Sequence, residues 1–333
     1  MSRNAAYVTL LTKAEYLPGA LVVESSLRAV GSKYPLVIMV TPSLSQEARD
    51  VLSRRGVKMR EIERVDPAEG LVTISAHDAR FADTWTKLRC AAVVVIYCRI
   101  VLMDCDMIVR RNMDELMDLE LPDDWIAACH ACTCNPRKLP HYPKDWYVPF
   151  HPSLFSFFLI DITILLRVPE NCAYSPLEHP LALDQASNIK SDSPRTYGLL
   201  NSGIVVMNPS APLSQTVLNY LHTSPDVSSF SFPDQDLLAA VFTGKWKPLP
   251  WKYNALKTLR QIHKPLWRDE EVRCLHYILH DKPWQARVGQ EGSSAEYEEV
   301  NTWWWDQLEA LVEELGKSDP EGRRLVLDNV AQP

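Results

Sequence analysis

Residues 99–106 read RIVLMDCD. The apolar run Arg99 to Met103 has the composition of a buried strand, and it leads directly into two aspartates one residue apart, Asp104 and Asp106. In an open parallel sheet, ligands bind beyond the carboxyl ends of the strands, so acids placed there face the expected site. The competing reading is a turn or a helix cap, because aspartate is common at both. The chain before this stretch decides what kind of sheet it belongs to. Ala5 to Leu11 reads as a buried strand, Tyr16 to Val30 as a helix stopped by Gly31, and Pro35 to Val40 as a second strand. Ser45 to Arg55, capped by Ser43 or Ser45 and ended by Gly56, is a second helix, and Val57 to Ile62 a third strand. Strands alternating with helices predict an α/β fold with a mostly parallel central sheet.

Working downstream, Thr84 to Tyr97 carries a helical pattern, and 129–194 is rich in Pro, Cys and His around one apolar block. Order returns with GLLNSGIVVMN (198–208), a β-rich run interrupted by Asn201-Ser202-Gly203. Helices are expected from about Leu213 to Leu221 and from Pro233 to Gly244, and Val272 to Tyr277 is a short strand leading into His276 and Lys282-Pro283-Trp284. A single domain over 1–290 is expected, followed by a helical tail over 291–333 that contains Trp303-Trp304-Trp305, ends its helix near Gly316 and trails off in a loose polar end.

Composition narrows the function. With 46% apolar and 23% charged residues in 333, the chain can bury an ordinary globular core. A net charge of −7 offers no basic face to a phosphate backbone, which argues against nucleic acid. The stretch FSFFLIDITILL (155–166) has twelve residues with Asp161 inside it, whereas a membrane span needs about 20. The start lacks the regions of a signal peptide, so a cytoplasmic location is expected, and the eight cysteines do not call for disulfides there.

Two carboxylates and one neutral imidazole form a ligand set that suits manganese. A transferase that uses a sugar nucleotide needs such a cation, or fixed positive charge, beside the departing diphosphate. Asp104, Asp106 and His276 are the available set, with Lys282 in reach of a phosphate as a point charge. For His276 taken by itself, a core or surface histidine is the plainer reading.

Four segments together, TLLTKAEYLPGALVVESSLR (9–28), TKLR with VLMDCDMIVRRNMDEL (86–116), LLNSGIVVMNPS (199–210) and HYILHDKPW (276–284), resemble family 8 of the retaining glycosyltransferases, the family of glycogenin and galactinol synthase. The resemblance implies a Rossmann-like nucleotide-diphospho-sugar transferase fold with a divalent metal at the diphosphate. It also implies that Leu10, Thr12 and Tyr16 contact the uridine, and that Lys87 approaches the sugar or phosphates. Asn201, Ser202, Asp234 and Gln235 would line the sugar pocket, Lys282 would bind phosphate, and Asp104, Asp106 and His276 would hold Mn2+. Two positions depart from the family pattern: Lys13 replaces a frequent amide, and Leu279 replaces the glycine of H-x-x-G-x-x-K-P-W.

Ala255 to Leu275 contains no tyrosine, which argues against glycogenin-like self-glucosylation there. The chain looks closer to the galactinol synthase branch. The expected activity is transfer of galactose or glucose from a UDP-sugar to a small polyol or saccharide such as myo-inositol, with a homodimer as the assembly to test for. Retention by a carboxylate nucleophile, for which Asp234 is the candidate and Gln235 a poor one, and retention by same-face attack both stay open. So do a glycogenin-like transferase and a catalytically silent UDP-sugar binder. A zinc module at Cys129, Cys132 and Cys134 with His130 or His141 is a further alternative, against plain free thiols. The segment 147–167 reads either as an insertion or translated intron, or as a buried apolar element.

Overall fold

The structure is a computed structural model that describes residues 4–68, 83–93, 96–135, 137, 139–140, 142–146 and 171–332. The segment 147–167 and His141 therefore lie outside the described residues. In chain order the elements are β1 (Ala5–Leu11), α1 (Leu17–Ala29), β2 (Leu36–Val40), α2 (Gln46–Arg54), β3 (Lys58–Glu61), α3 (Cys90–Val93), β4 (Arg99–Met103), β5 (Met107–Val109) and β6 (Ile126–His130). They continue with β7 (Leu200–Met207), α4 (Ala211–Thr223), α5 (Pro233–Val241), β8 (Trp246–Pro248), β9 (Ala255–Leu256), α6 (Leu259–Ile262), β10 (Cys274–His276), α7 (Glu298–Ser318) and α8 (Pro320–Asp328).

Seven strands form one sheet in the order β3-β2-β1-β4-β7-β6-β8, parallel except for β7, which runs against both neighbours. Alternate residues of each strand enter different cores. Tyr7, Ile38, Val101, Met103 and Val206 join one apolar cluster, while Ala6, Val8, Met39, Leu102 and Val205 join the other. A sheet covered on both faces needs apolar residues at every position, and this is why the strands read as continuous apolar runs rather than alternating ones. Each large side chain so buried stabilises the fold by about 1.5–3 kcal/mol relative to exposure. α1 fills one face and packs against β5 and α7; α3, α4 and α5 pack together on the other.

The helix punctuation follows the expected chemistry. Ser45 Oγ accepts the amide of Ala48, and Gly31 and Gly56 end their helices at φ of +67° and +73°. Two expectations need correction. The helix read over Thr84–Tyr97 is a 3-10 turn over Thr84–Arg89 followed by the short α3, with Ile96 already in a turn; the run Val93-Val94-Val95-Ile96 is β-branched and a poor helix former. β7 runs through Asn201-Ser202-Gly203, but its pairing with β6 slips there: Ala128 faces Val205 and Cys129 faces Asn201, which leaves Ser202, Gly203 and Ile204 without partners on β6, a bulge where the sequence reads an interruption. The polar end is not loose. Asp319 caps α8 through the amide of Gly322 and pairs with Arg54 at 2.9 Å, and Val326 is buried in the same core as Trp304.

A second, three-stranded sheet, β5-β10-β9, controls the site. Its register sets Met107 opposite His276, and the amide of Tyr277 donates to the carbonyl of Asp106 at 2.9 Å. The large sheet carries Asp104; the small one folds Asp106 and His276 onto it.

Candidate active site

All twelve residues singled out from the sequence line one cavity of about 730 Å³: Leu10, Thr12, Tyr16, Lys87, Asp104, Asp106, Asn201, Ser202, Asp234, Gln235, His276 and Lys282. The topology explains the convergence. β1 and β4 deliver Thr12 and Asp104 from their carboxyl ends, and because β7 is antiparallel its beginning, Asn201-Ser202, reaches the same edge. The first turn of α5 adds Asp234 and Gln235.

At the centre, one ligand atom from each of Asp104, Asp106 and His276 lies within 4.8 Å of the others. His276 Nε2 is 3.3 Å from Asp106 Oδ1 and 3.6 Å from Asp104 Oδ2. The orientation of that ring follows from one unambiguous donor. The amide of Gly203 donates to Asn201 Oδ1 at 3.0 Å, which makes that atom the oxygen. The same oxygen accepts Asn254 Nδ2 at 2.7 Å, so Asn254 turns its own oxygen to His276 Nδ1 at 2.9 Å. An amide oxygen cannot donate, so Nδ1 carries the proton and the Nε2 lone pair faces the carboxylates. Asn201 Nδ2 in turn donates to Gln235 Oε1 at 3.0 Å, leaving Gln235 with N–H groups to offer the cavity.

The charges are arranged around this centre. Lys87 Nζ bridges Asp104 and Asp234 at 2.6 and 2.7 Å, and Lys282 Nζ binds Asp106 and the carbonyl of Tyr277 at 2.5 and 2.8 Å. Burial works against the ammonium of Lys87, yet Asp104 and Asp234 raise its pKa and keep it charged. Burial pushes Asp104 up against the pull of Lys87, while Asp106, equally buried, is held far below the ordinary carboxylate range by the Lys282 ammonium. Three carboxylates thus face two ammonium groups, with an imidazole lone pair aimed between two of them. That surplus of negative charge and that tautomer fit a divalent cation held by Asp104, Asp106 and His276.

The rim is built from the expected residues with some additions. Thr12 Oγ1 donates to Asp83 at 3.2 Å, and Lys13, the departure from the family pattern, pairs with the same Asp83 at 3.4 Å. Tyr16 packs edge-on against Trp284 at 5.4 Å, joining the first motif to the last. Lys282 receives a backbone brace from Gln285 Oε1 at 2.9 Å. Leu279 has a φ of +76°, the left-handed conformation that glycine adopts freely, so the chain keeps the glycine path with a leucine on it. Two glycines are required by proximity. A Cβ on Gly19 would sit 2.5 Å from the carbonyl of Cys105, and one on Gly203 would sit 2.4 Å from the His276 ring. Asn254 and Asp83 were not read as site residues from the sequence. Asn254 reaches His276 only through the pairing of β9 with β10, which no local motif encodes.

Solved structures share the fold. The chain superimposes on the galactosyltransferase LgtC, determined with donor and acceptor sugar analogs, with a TM-score of 0.56 and 15% identity over 92% of this chain and 95% of that one. GlyE of Streptococcus pneumoniae TIGR4, in its apo form, gives 0.55 at 15% identity, covering 95% of this chain and 64% of its own. The fold is therefore shared with these glycosyltransferases. Residues 7–287 match the model of glycosyl transferase family 8, and the chain belongs to that family. Similar sequences include galactinol synthase 1 of Ajuga reptans, 28% identical over 311 residues (92% of this chain, 81% of the relative). Galactinol synthase 4 of Arabidopsis thaliana is 28% identical over 306 residues, covering 90% of this chain and 80% of its own. The protein is a retaining glycosyltransferase. No helix among the described residues is long and apolar enough to cross a membrane.

Proposed function

We propose that the chain transfers a hexose, galactose or glucose, from a UDP-sugar to a small hydroxylated acceptor such as myo-inositol, with Mn2+ held by Asp104, Asp106 and His276. The observation that carries this reading is the convergence of that ligand set with Lys87 and Lys282 in a cavity walled by Tyr16, Asn201 and Gln235. Similarity to galactinol synthases over nine-tenths of the chain supports the small-polyol acceptor. When bound, the cation would supply positive charge to the diphosphate oxygens as the glycosidic bond breaks.

The side chains divide the remaining work. Thr12 and Tyr16 hold the uridine at the open end, on a wall made rigid by the Tyr16–Trp284 contact. Lys282, which pairs with Asp106 and is braced by Gln285, would offer its ammonium to a donor phosphate. Gln235 and Ser202 orient the sugar by hydrogen bonds. Asp234, a cavity carboxylate outside the metal set that pairs with Lys87 at 2.7 Å, is the candidate nucleophile. We place the enzyme in the cytoplasm, where reduced cysteines persist; none of the eight forms a disulfide.

Calorimetric titration of UDP with and without Mn2+ tests the ligand assignment. The wild type should bind at least about tenfold more tightly with the metal, and Asp106→Asn should abolish that gain, because losing a ligand or its support typically costs 10–100-fold. Wild-type, metal-enhanced UDP affinity in that variant would overturn the assignment.

A further inference from the structure

Beside the transfer cavity, which Cys132 also lines, four soft donors meet at one point. Cys132 and Cys134 leave the end of β6, Cys172 belongs to the segment that returns to it, and His263 follows α6. His263 Nε2 lies 3.6 Å from Cys132 Sγ, 3.4 Å from Cys134 Sγ and 3.6 Å from Cys172 Sγ, and all four ligand atoms fall within 4.8 Å of one another. Cys134, Cys172 and His263 are buried, at 6%, 0% and 2% exposure. None of the three cysteines forms a disulfide.

We propose that Cys132, Cys134, Cys172 and His263 form a closed Cys3His structural zinc site, separate in place and in chemistry from the cation site at Asp104, Asp106 and His276. The distances fit this metal. With Zn–S of about 2.3 Å and Zn–N of about 2.0–2.1 Å at the tetrahedral angle, sulfur and nitrogen stand about 3.5–3.6 Å apart. The three observed separations bracket that value. Hydrogen bonding alone is a poor account of the cluster, because one ring nitrogen has a single lone pair or a single proton and cannot satisfy three thiols. Three thiolates and a neutral imidazole are a common closed zinc set, and soft sulfur donors select against the hard cation expected at the aspartates.

The sequence offers Cys129, Cys132 and Cys134 with His130 or His141, and of these only Cys132 and Cys134 belong to the cluster. Two of those residues are engaged elsewhere: Cys129 Sγ donates to the carbonyl of Pro250 at 3.2 Å, and His130 Nε2 meets the carbonyl of Ser187 at 2.8 Å. Cys172 and His263 are 38 and 129 positions or more from Cys134, so no ligand spacing connects them in the sequence. The site has a structural purpose in the fold. Ala131 and Cys132 line the sugar cavity, and the zinc ties that wall to the loop after α6 and to the returning segment at Cys172.

The test is metal content of the full chain, expressed in zinc-replete medium and purified without chelator, which does not depend on transferase activity. We expect about one zinc per chain, released as about three thiols are titrated by an organomercurial, the number of Cys ligands in the set. Asp106→Asn should keep its zinc, whereas Cys172→Ser and His263→Ala should drop to about a tenth of a metal or less per chain. Should those variants misfold, Co2+ exchanged into the wild type provides the second readout: tetrahedral visible bands with thiolate-to-cobalt charge transfer are expected. Zinc-free wild-type protein, an octahedral cobalt spectrum, or a disulfide among the three cysteines would each overturn the site.

Discussion

Gly203 offers a sharp perturbation, because its missing side chain is what lets His276 stand where it does. In Gly203→Ala the new Cβ would lie 2.4 Å from both Cε1 and Nδ1 of His276 and 2.9 Å from Asn201 Oδ1. Ordinary contact begins near 3.4 Å, so the imidazole must retreat by about 1 Å, and the retreat breaks the bond from Nδ1 to Asn254 that orients the ring. A displacement of that size costs on the order of 100-fold in kcat/KM, or about 2.7 kcal/mol, and 10–100-fold in metal affinity. The strand itself should survive, since overpacking costs only about 1–3 kcal/mol. The assay is a Mn2+ titration of donor turnover, paired with a thermal melt to confirm folding. A double-mutant cycle isolates the cause: once His276 is alanine, adding Gly203→Ala should cost nothing further in metal affinity. Wild-type metal affinity and kcat/KM in the folded single variant would refute the packing of β7 against His276.

Other expectations follow from single features. Leu279→Gly should be neutral or stabilising by up to about 1 kcal/mol in urea melts, because relief of about 1–2 kcal/mol of left-handed strain offsets glycine's entropy; a loss above about 2 kcal/mol would contradict this. Asp236 Oδ2 accepts the amides of Ser231 and Phe232 at the start of α5, yet burial pushes its carboxyl up to about 6. Its folded value is raised, so its contribution is fully present below about pH 3.8 and is lost as pH rises through about 6; Asp236→Asn should therefore gain on the wild type by on the order of 2–3 kcal/mol from pH 4 to 7, and a pH-independent difference would refute it. Lys282→Ala should raise the donor KM by about tenfold or more through loss of a charged phosphate contact, and an unchanged KM would remove that role.

Much of this site was legible because its parts sit at strand ends that local sequence announces. The run into Asp104 fixes where the acids stand, and Gly31 and Gly56 end their helices where the left-handed turn demands. What stayed hidden is set by pairings between distant strands. Asn254 meets His276 through β9 and β10, and its role depends on a chain of amides beginning at Gly203, none of which has a spacing to read. Asn201-Ser202-Gly203 reads as an interruption because each residue favours a turn, and the structure keeps that irregularity as a bulge: Asn201 pairs with Cys129 while Ser202 and Gly203 have no partner on β6. Likewise the Cys3His cluster is only half legible: Cys132 and Cys134 stand together in the sequence, whereas Cys172 and His263 come from separate segments with no spacing to read. The last helix was missed because its polar face reads as a loose tail until Arg54 and the capping Asp319 are seen together.

The most direct test of the account is UDP release by the purified protein, given UDP-galactose or UDP-glucose with Mn2+ or with EDTA, and with or without myo-inositol. The account predicts release that requires the metal and rises with inositol, the more active donor naming the sugar. Tight UDP binding with no turnover on either donor, with inositol present and the metal bound, would contradict it.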